Sequence, residues 1–352
     1  MVTITDVARE ADVSIATVSR VLNNNLQVMP ETRQRVLAAV EKLGYEISPK
    51  KKAAALAAPR LILVITNTTI VSINNNVAKA AAACGYQAIF NIYQPDDEQH
   101  ILQLLDKTDI CGIIFCCAWA PGPSLLQALA EYPVVELSSG VLELKEQYRV
   151  VADERAMSFD AVRYLIHSGC KNIGMLSTTS TLPVHIARQR EEGYVEALCG
   201  NSEICAPTKS VPDSAMCSGP TSVSDIPAGQ PRQIVYGDYT CDGGYHAAKQ
   251  LLSQFPKCDG IFCICDMMAI GCLNYLHTAG IHVPEQVSVI SLDNMEASEY
   301  TIPPLTTVDS GNYESALEAV RMLHGIIEKE YGRGRTVHIE HQLVVRKSTR
   351  PE

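Results

Sequence analysis

No stretch of this 352-residue chain runs through about 18 uninterrupted apolar residues, so no membrane-spanning helix is expected. The opening MVTITDVAREADVS lacks the basic cluster and apolar run of a signal peptide, and the expectation is a protein that stays in the cytoplasm. Motifs of nucleotide and acyl chemistry are missing as well. There is no GxxxxGK[ST], no GxGxxG after a strand and no GxSxG, and no Ser/His/Asp set stands out. An enzyme is therefore not expected, nor is a cofactor. Cysteine is plentiful, at thirteen, but never in a CxxC pair with a second pair or a His pair at zinc-site spacing. The closest spacings are Cys116-Cys117 and Cys263-Ile264-Cys265, inside the apolar segments CGIIFCC and GIFCIC. An odd count and such surroundings suit small buried side chains in a reducing compartment.

Apolar residues make up 47% of the chain and charged residues 19%, enough of the former to bury real cores. The formal charge of −10 is unusual for a protein that touches nucleic acid, but it is unevenly spread. Residues 1–60 carry nine Lys and Arg against six Asp and Glu, and the remainder carries twenty against thirty-three. A small basic head sits on a large acidic body.

From Leu61 onward, short apolar runs alternate with helix-period segments. The runs are 61–65, 88–92, 112–118, 134–137, 172–177, 233–236, 260–265 and 287–292, and several intervening helices stop at a glycine, as at Gly85, Gly169 and Gly280. Continuous apolar strands between helices predict parallel sheets covered on both faces. The length of the pattern exceeds one comfortable core, so two α/β subdomains are expected. Residues 206–232 are rich in Pro, Ser, Thr and Gly and read as a long surface loop, and residues 46–60 read as a linker with the Lys50–Lys52 run.

In the head, Ile4, Val7, Ala8 and Ala11 form one apolar helical stripe that Thr3 can cap. Ser14 is placed to cap a second helix over 15–23, with Val18, Val21 and Leu22 inward and Ile15, Ala16, Ser19, Arg20 and Asn23 outward. A third helix begins at Pro30 and turns Val36, Ala39, Val40 and Leu43 inward. Two helices about a four-residue turn, the second exposing hydroxyl, amide and Arg groups, form a helix-turn-helix arrangement suited to the major groove. Arg20 can chelate guanine, small apolar side chains can meet thymine methyls, and Ser and Thr can hold phosphates.

The segments TITDVAREADVSIATVSRVLNNN and PETRQRVLAAVEKLGY closely resemble the DNA-binding head of the LacI/GalR family of bacterial repressors, and the resemblance extends over the body. It implies that Ile15, Ala16 and Arg20 read bases, while Ser14, Thr17, Ser19 and Asn23 contact or face the DNA backbone. It also implies a hinge over 48–60, with Ala53 and Leu56 at the minor groove and Leu56 as the wedge that kinks the operator. This chain departs from the pattern at four positions: Asp12 replaces the turn glycine, Met29 the Ser/Thr cap before Pro30, Lys50 the hinge Asn and Ala54 the hinge Arg.

The fold so implied is a small all-α helix-turn-helix domain (1–47) followed by an α/β periplasmic-binding-protein-like body (61–352) of two Rossmann-like subdomains. The N-subdomain spans about 61–156 and 309–336, the C-subdomain about 157–308 and 337–350, with crossovers near 156, 308 and 337. The resemblance places a small-molecule effector, a sugar or related metabolite, between the subdomains. Arg190 matches an effector-gripping Arg, Asp293 a carboxylate that accepts hydroxyls, Tyr239 an aromatic beneath the ligand, and Cys265 the place of a usual Asn. On spacing alone Arg190 also reads as a surface helix arginine and Asp293 as a cap on the next helix. Trp119 reads equally as pocket lining or surface loop. The first-strand loop TNTTIVSINNN is shorter than the family's and lacks its aromatics. The resulting expectation is a homodimeric repressor on double-stranded operator DNA, under effector control. An effector-independent or redox-responsive regulator, and a solute-binding protein, are the alternatives.

Overall fold

A computed structural model describes residues 2–22, 30–45, 60–66, 71–94, 98–117, 119–137, 140–178, 184–199 and 233–351. The chain divides into two compact units, Met1–Ala152 with Gly311–Glu340, and Asp153–Ser310 with His341–Glu352. The passages between units thus fall a few residues from the expected crossovers. Local chemistry sets two of them: Asp153 caps a helix through its side chain, and Gly311 caps another with φ of 70°.

The first unit begins with α1 (Ile4–Glu10), α2 (Ile15–Leu22) and α3 (Pro30–Leu43). Val7, Ala8, Ala11, Val18, Val21, Val36 and Ala39 form their common buried core, with Ile4, Val40 and Leu43 packed around it. A Thr3–Asp6 capping box starts α1, and Lys42 of α3 reaches Glu10 of α1 at 2.6 Å.

The rest of this unit is β1 (Arg60–Thr66), α4 (Val71–Ala83), β2 (Tyr86–Ile92), α5 (Glu98–Lys107), β3 (Ile110–Cys116), α6 (Pro123–Leu129), β4 (Val134–Leu137), β5 (Tyr148–Ala152), α12 (Asn312–Ile327) and β11 (Arg335–Ile339). Its sheet runs β11-β5-β4-β3-β1-β2, every pair parallel. Alternate residues of β1 feed opposite faces. Ile62 and Val64 join Val77, Ala81, Ala319 and Leu323, while Leu63 and Ile65 join Ile101, Leu105, Leu125 and Leu129. Burial on both faces explains why the strand reads as an unbroken apolar run.

The second unit contains α7 (Glu154–His167), β6 (Ile173–Thr178), α8 (Val184–Cys199), β7 (Ile234–Gly237), α9 (Cys241–Gln254), β8 (Gly260–Cys263), α10 (Asp266–Thr278), β9 (Ser288–Leu292), α11 (Glu296–Glu299), β10 (Thr306–Asp309) and β12 (Gln342–Val344). Strand order is β12-β10-β9-β8-β6-β7, parallel except for the antiparallel edge β12.

Strands β5, β10 and β11 were not among the expected runs. β11 is an exposed edge strand and β5 its partly exposed neighbour, so charged residues interrupt both. The run expected over 260–265 leaves the ladder after Cys263, because Cys265 turns to cap α10.

Candidate nucleic-acid interface and ligand site

In the head, the turn between α1 and α2 passes through Asp12 at φ of 52°, a conformation Asp adopts more readily than most residues. It delivers Ser14 to the start of α2, where its hydroxyl accepts the Thr17 amide at 3.1 Å and lies 2.8 Å from the Thr17 hydroxyl. Ile15 is 48% exposed despite its size, Ala16 is exposed, and Thr17 and Ser19 are half-buried. The first turn of α2 therefore presents small apolar and hydroxyl groups. Arg20 belongs to α2 by its backbone, one turn beyond Ala16 on the same side. The Arg20 side chain, and Asn23, Ala53 and Leu56 entirely, lie outside the described residues.

In the second unit, the carboxyl ends of the parallel strands β6 to β9 frame a buried polar cluster, the position at which open α/β sheets bind ligands. Its centre is Arg190 on α8. The Nε donates to Glu154 at 2.7 Å, Nη1 donates to the Ile264 carbonyl at 2.6 Å, and Nη2 lies 3.6 Å from Asp293. Arg190 is 5% exposed, Glu154 7% and Asp293 7%, so this is an ion-pair group withdrawn from water and not a surface arginine.

Close helix packing makes the group possible. Gly193, one turn along α8, faces α7 so tightly that a Cβ there would collide with the Arg155 carbonyl and come within 2.9 Å of Ser158 Cβ. That approach sets Glu154, in the first turn of α7, against Arg190.

Asp293 follows β9 with φ of 107°, Asn294 has φ of 46°, and Tyr239, between β7 and α9, has φ of 67°. Three left-handed non-glycine residues in one cluster mark backbone held in place by its surroundings. Tyr239 is half-buried, and its hydroxyl donates toward Asp293 at 3.4 Å. Burial pushes the Asp293 carboxyl up to about 7, against the pull of Arg190 and with the help of the Asp266 and Glu154 charges. The Tyr239 hydroxyl is pushed well above its ordinary range by burial and then by Asp293. Arg190 is held firmly charged by Glu154, Tyr239 and Asp293, although burial opposes its charge.

Sequence reasoning missed two carboxylates here. Glu154 is one. The other is Asp266, fully buried at the start of α10, which accepts from the hydroxyls of Ser291, Ser298 and Thr307 and from the Met295 amide. It ties together β9, α11 and β10, the elements that frame Asp293. Arg346 completes the support by donating to Asn294 Oδ1 at 2.8 Å and to the Leu305 carbonyl at 2.8 Å. The signal for Asp266 was present in CDMMA, next to the residue singled out instead.

Cys265 is wholly buried at the cap of α10, and burial drives its thiol far up. The eleven described cysteines are all free thiols, and for Cys116 and Cys258 burial raises the thiol to about 12. Thiols so raised are poor redox sensors, because the thiolate is the reactive form. Trp119 belongs to the first unit, past the carboxyl end of β3, and is 38% exposed. The expected long loop at 206–232 lies outside the described residues. Among the described residues no cluster of three or more metal-ligating side chains occurs, and no helix is long and apolar enough to cross a membrane.

Residues 3–48 match the family model of bacterial regulatory proteins, lacI family, and residues 162–349 that of the periplasmic binding protein-like domain. The chain is similar to catabolite control protein A of Priestia megaterium, at 32% identity with 99% of each chain covered. It is also similar to the HTH-type transcriptional repressor CytR of Escherichia coli, at 29% identity with 99% of this chain and 96% of the relative covered. Among solved structures, the lac repressor dimer bound to operator and the anti-inducer ONPF aligns with a TM-score of 0.65, at 22% identity with 99% of each chain covered.

Proposed function

The chain belongs to the lacI family of bacterial regulatory proteins, and from that premise we propose that it is a sequence-specific DNA-binding regulator of transcription, a repressor under the control of a small-molecule effector. The observation that carries this reading is the head. A three-helix core holds α2 by a Ser14 cap and leaves Ile15 and Ala16 outward at its first turn, within the matched residues 3–48. In this reading Ile15, Ala16 and Arg20 read base edges, and Ser14, Thr17, Ser19 and Asn23 contact the DNA backbone. Residues 48–60 form a hinge that orders on the minor groove, with Ala53 and Leu56 against the DNA.

A homodimer brings two basic heads to a pseudo-palindromic operator; the lac repressor structure with which the chain aligns is likewise a dimer bound to operator. The modest positive charge of residues 1–60 makes doubling necessary, and the acidic remainder disfavours nonspecific contact with phosphate. The protein works in the cytoplasm, has no catalytic role and needs no cofactor.

The effector is a sugar or related metabolite held by Arg190, Asp293 and Tyr239, with Cys265 as further lining. Arg190 Nη2 and Asp293 Oδ1 lie 3.6 Å apart, and a hydroxyl set to one side of the pair can accept from the first and donate to the second. An effector that fits one conformation better than another shifts the population of the DNA-binding form by its differential affinity, and the hinge is the element whose ordering responds.

Arg20→Ala tests the base-reading assignment. Its preference for the operator over random duplex should fall by about 10- to 100-fold, the loss expected for one bidentate guanine contact, with the circular dichroism unchanged. An undiminished preference would remove Arg20 from the reading face.

A further inference from the structure

The segment VVRKSTRP of the second unit sets three cations, Arg346, Lys347 and Arg350, within five residues. Hydroxyls fasten it across the amino ends of β9 and β10. Ser348 donates to the Val289 carbonyl at 2.6 Å and accepts the Thr306 amide at 2.8 Å, and Thr349 meets the Thr306 hydroxyl at 2.9 Å. Ser348 and Thr349 are buried by these bonds, while Val345 and Lys347 are left exposed. Arg350 donates to the carbonyls of Pro284, Glu285 and Gln286, which holds the loop before β9 beside the segment. Glu285, the acidic residue of that loop, thus offers Arg350 its carbonyl and not its carboxylate. The Arg346 acceptors, the Leu305 carbonyl and Asn294 Oδ1, are uncharged as well. Among the described residues none of the three cations has a carboxylate partner.

Against this segment lies a surface cavity of about 540 Å³, a size at which proteins hold small molecules. Pro284, Val345 and Pro351 give it apolar walls, and Arg346 and Lys347 give it positive charge. Tyr164, from the last turn of α7, also lines it. That tyrosine is 8% exposed, yet its hydroxyl has no hydrogen-bond partner among the described residues, whereas a buried phenol ordinarily has one. We propose that this cavity binds a small organic carboxylate with an apolar body, held at its anionic end by Lys347, Arg346 and the Tyr164 hydroxyl. A carboxylate supplies both the negative charge that the cations lack and the acceptor that the phenol lacks. Its apolar body covers the tyrosine ring and the proline and valine walls, which water otherwise wets. The site stands at the amino ends of β9 and β10, whereas Asp293 follows the carboxyl end of β9.

The test titrates naphthoate, cinnamate and octanoate, each beside its uncharged amide, and inorganic phosphate into the full chain by calorimetry near neutral pH and at fixed ionic strength. The same titrations are run on Lys347→Gln, Tyr164→Phe and Arg190→Ala. At least one carboxylate should bind at least about tenfold more tightly than its amide, and more tightly than phosphate, which has no apolar body. Lys347→Gln should weaken that binding by about tenfold and Tyr164→Phe by about threefold. Lys347 is exposed and phenylalanine keeps the packing of Tyr164, so urea unfolding should show both variants folded. No carboxylate binding beyond that of its amide overturns the proposal, and phosphate bound as tightly as the best carboxylate refutes the apolar body. Affinity untouched by Lys347→Gln overturns the site, and affinity untouched by Tyr164→Phe removes the phenol from it. Binding lost in Arg190→Ala and kept in the other two variants places the ligand in the effector cluster and overturns the proposal.

Discussion

Replacing Asp293 by Asn removes one ionisable group from the ligand cluster while keeping shape and backbone tolerance nearly constant. The carboxyl stands at about 7 in the folded protein, chiefly because burial disfavours its charge. An unfolded aspartate titrates near about 3.9, so folding raises it by roughly three units, equivalent to about 4 kcal/mol. A raised acid contributes stability that is fully present below the unfolded value and is lost as pH climbs through the folded one. The wild type should therefore lose about 2.5 kcal/mol relative to Asp293→Asn between pH 5 and pH 8, most of it before pH 7 is passed. Urea unfolding of both proteins at pH 5, 6, 7 and 8 measures the difference and cancels other titrating groups. A difference independent of pH would refute the reasoning. So would a wild type that gains on the variant as pH rises, since Arg190 would then outweigh burial. The same linkage gives a binding prediction: an effector that donates hydroxyls to the Asp293 carboxylate favours its ionised form, so its affinity should increase with pH through neutrality.

Three further substitutions test the supports of the two sites. Gly193→Ala forces α7 and α8 apart and should cost about 1–3 kcal/mol, with a weaker effector response as Glu154 and Arg190 separate; an unchanged thermal midpoint would show that the helices have room. Asp266→Asn puts an amide where only donors converge and should cost about 2–4 kcal/mol in urea unfolding. Full stability in that variant would mean the Ser291, Ser298 and Thr307 hydroxyls find other partners. Ser14→Ala removes the α2 cap and should destabilise the head by about 1 kcal/mol, read as faster amide exchange in residues 15–22 with exchange in the body unaltered.

What could be read from the chain follows the range of the interactions involved. The Thr3 and Ser14 caps depend on residues within three positions, and both were legible. The strands buried on both faces were equally plain, because uninterrupted apolar runs such as 61–65 have few other uses. Strands β5 and β11 escaped notice since their exposed positions carry charge. Arg190 and Asp293 were found only through the family resemblance, as a helix arginine and a loop aspartate have bland readings of their own. Glu154 was out of reach: its partner lies 36 residues away, and the pairing exists only because Gly193 lets two helices meet. The donors to Asp266 are scattered from Ser291 to Thr307, so CDMMA marks the carboxylate's place in the sequence but not the hydroxyls that surround it.

In the proposed function the head reads a specific duplex sequence as part of a two-fold assembly. Selection from a random-sequence duplex library by the full-length protein, followed by sequencing, tests it most directly. A single inverted repeat should be enriched, with binding that falls steeply as salt rises. Recovery of unenriched DNA, or of a motif without two-fold symmetry, would contradict it.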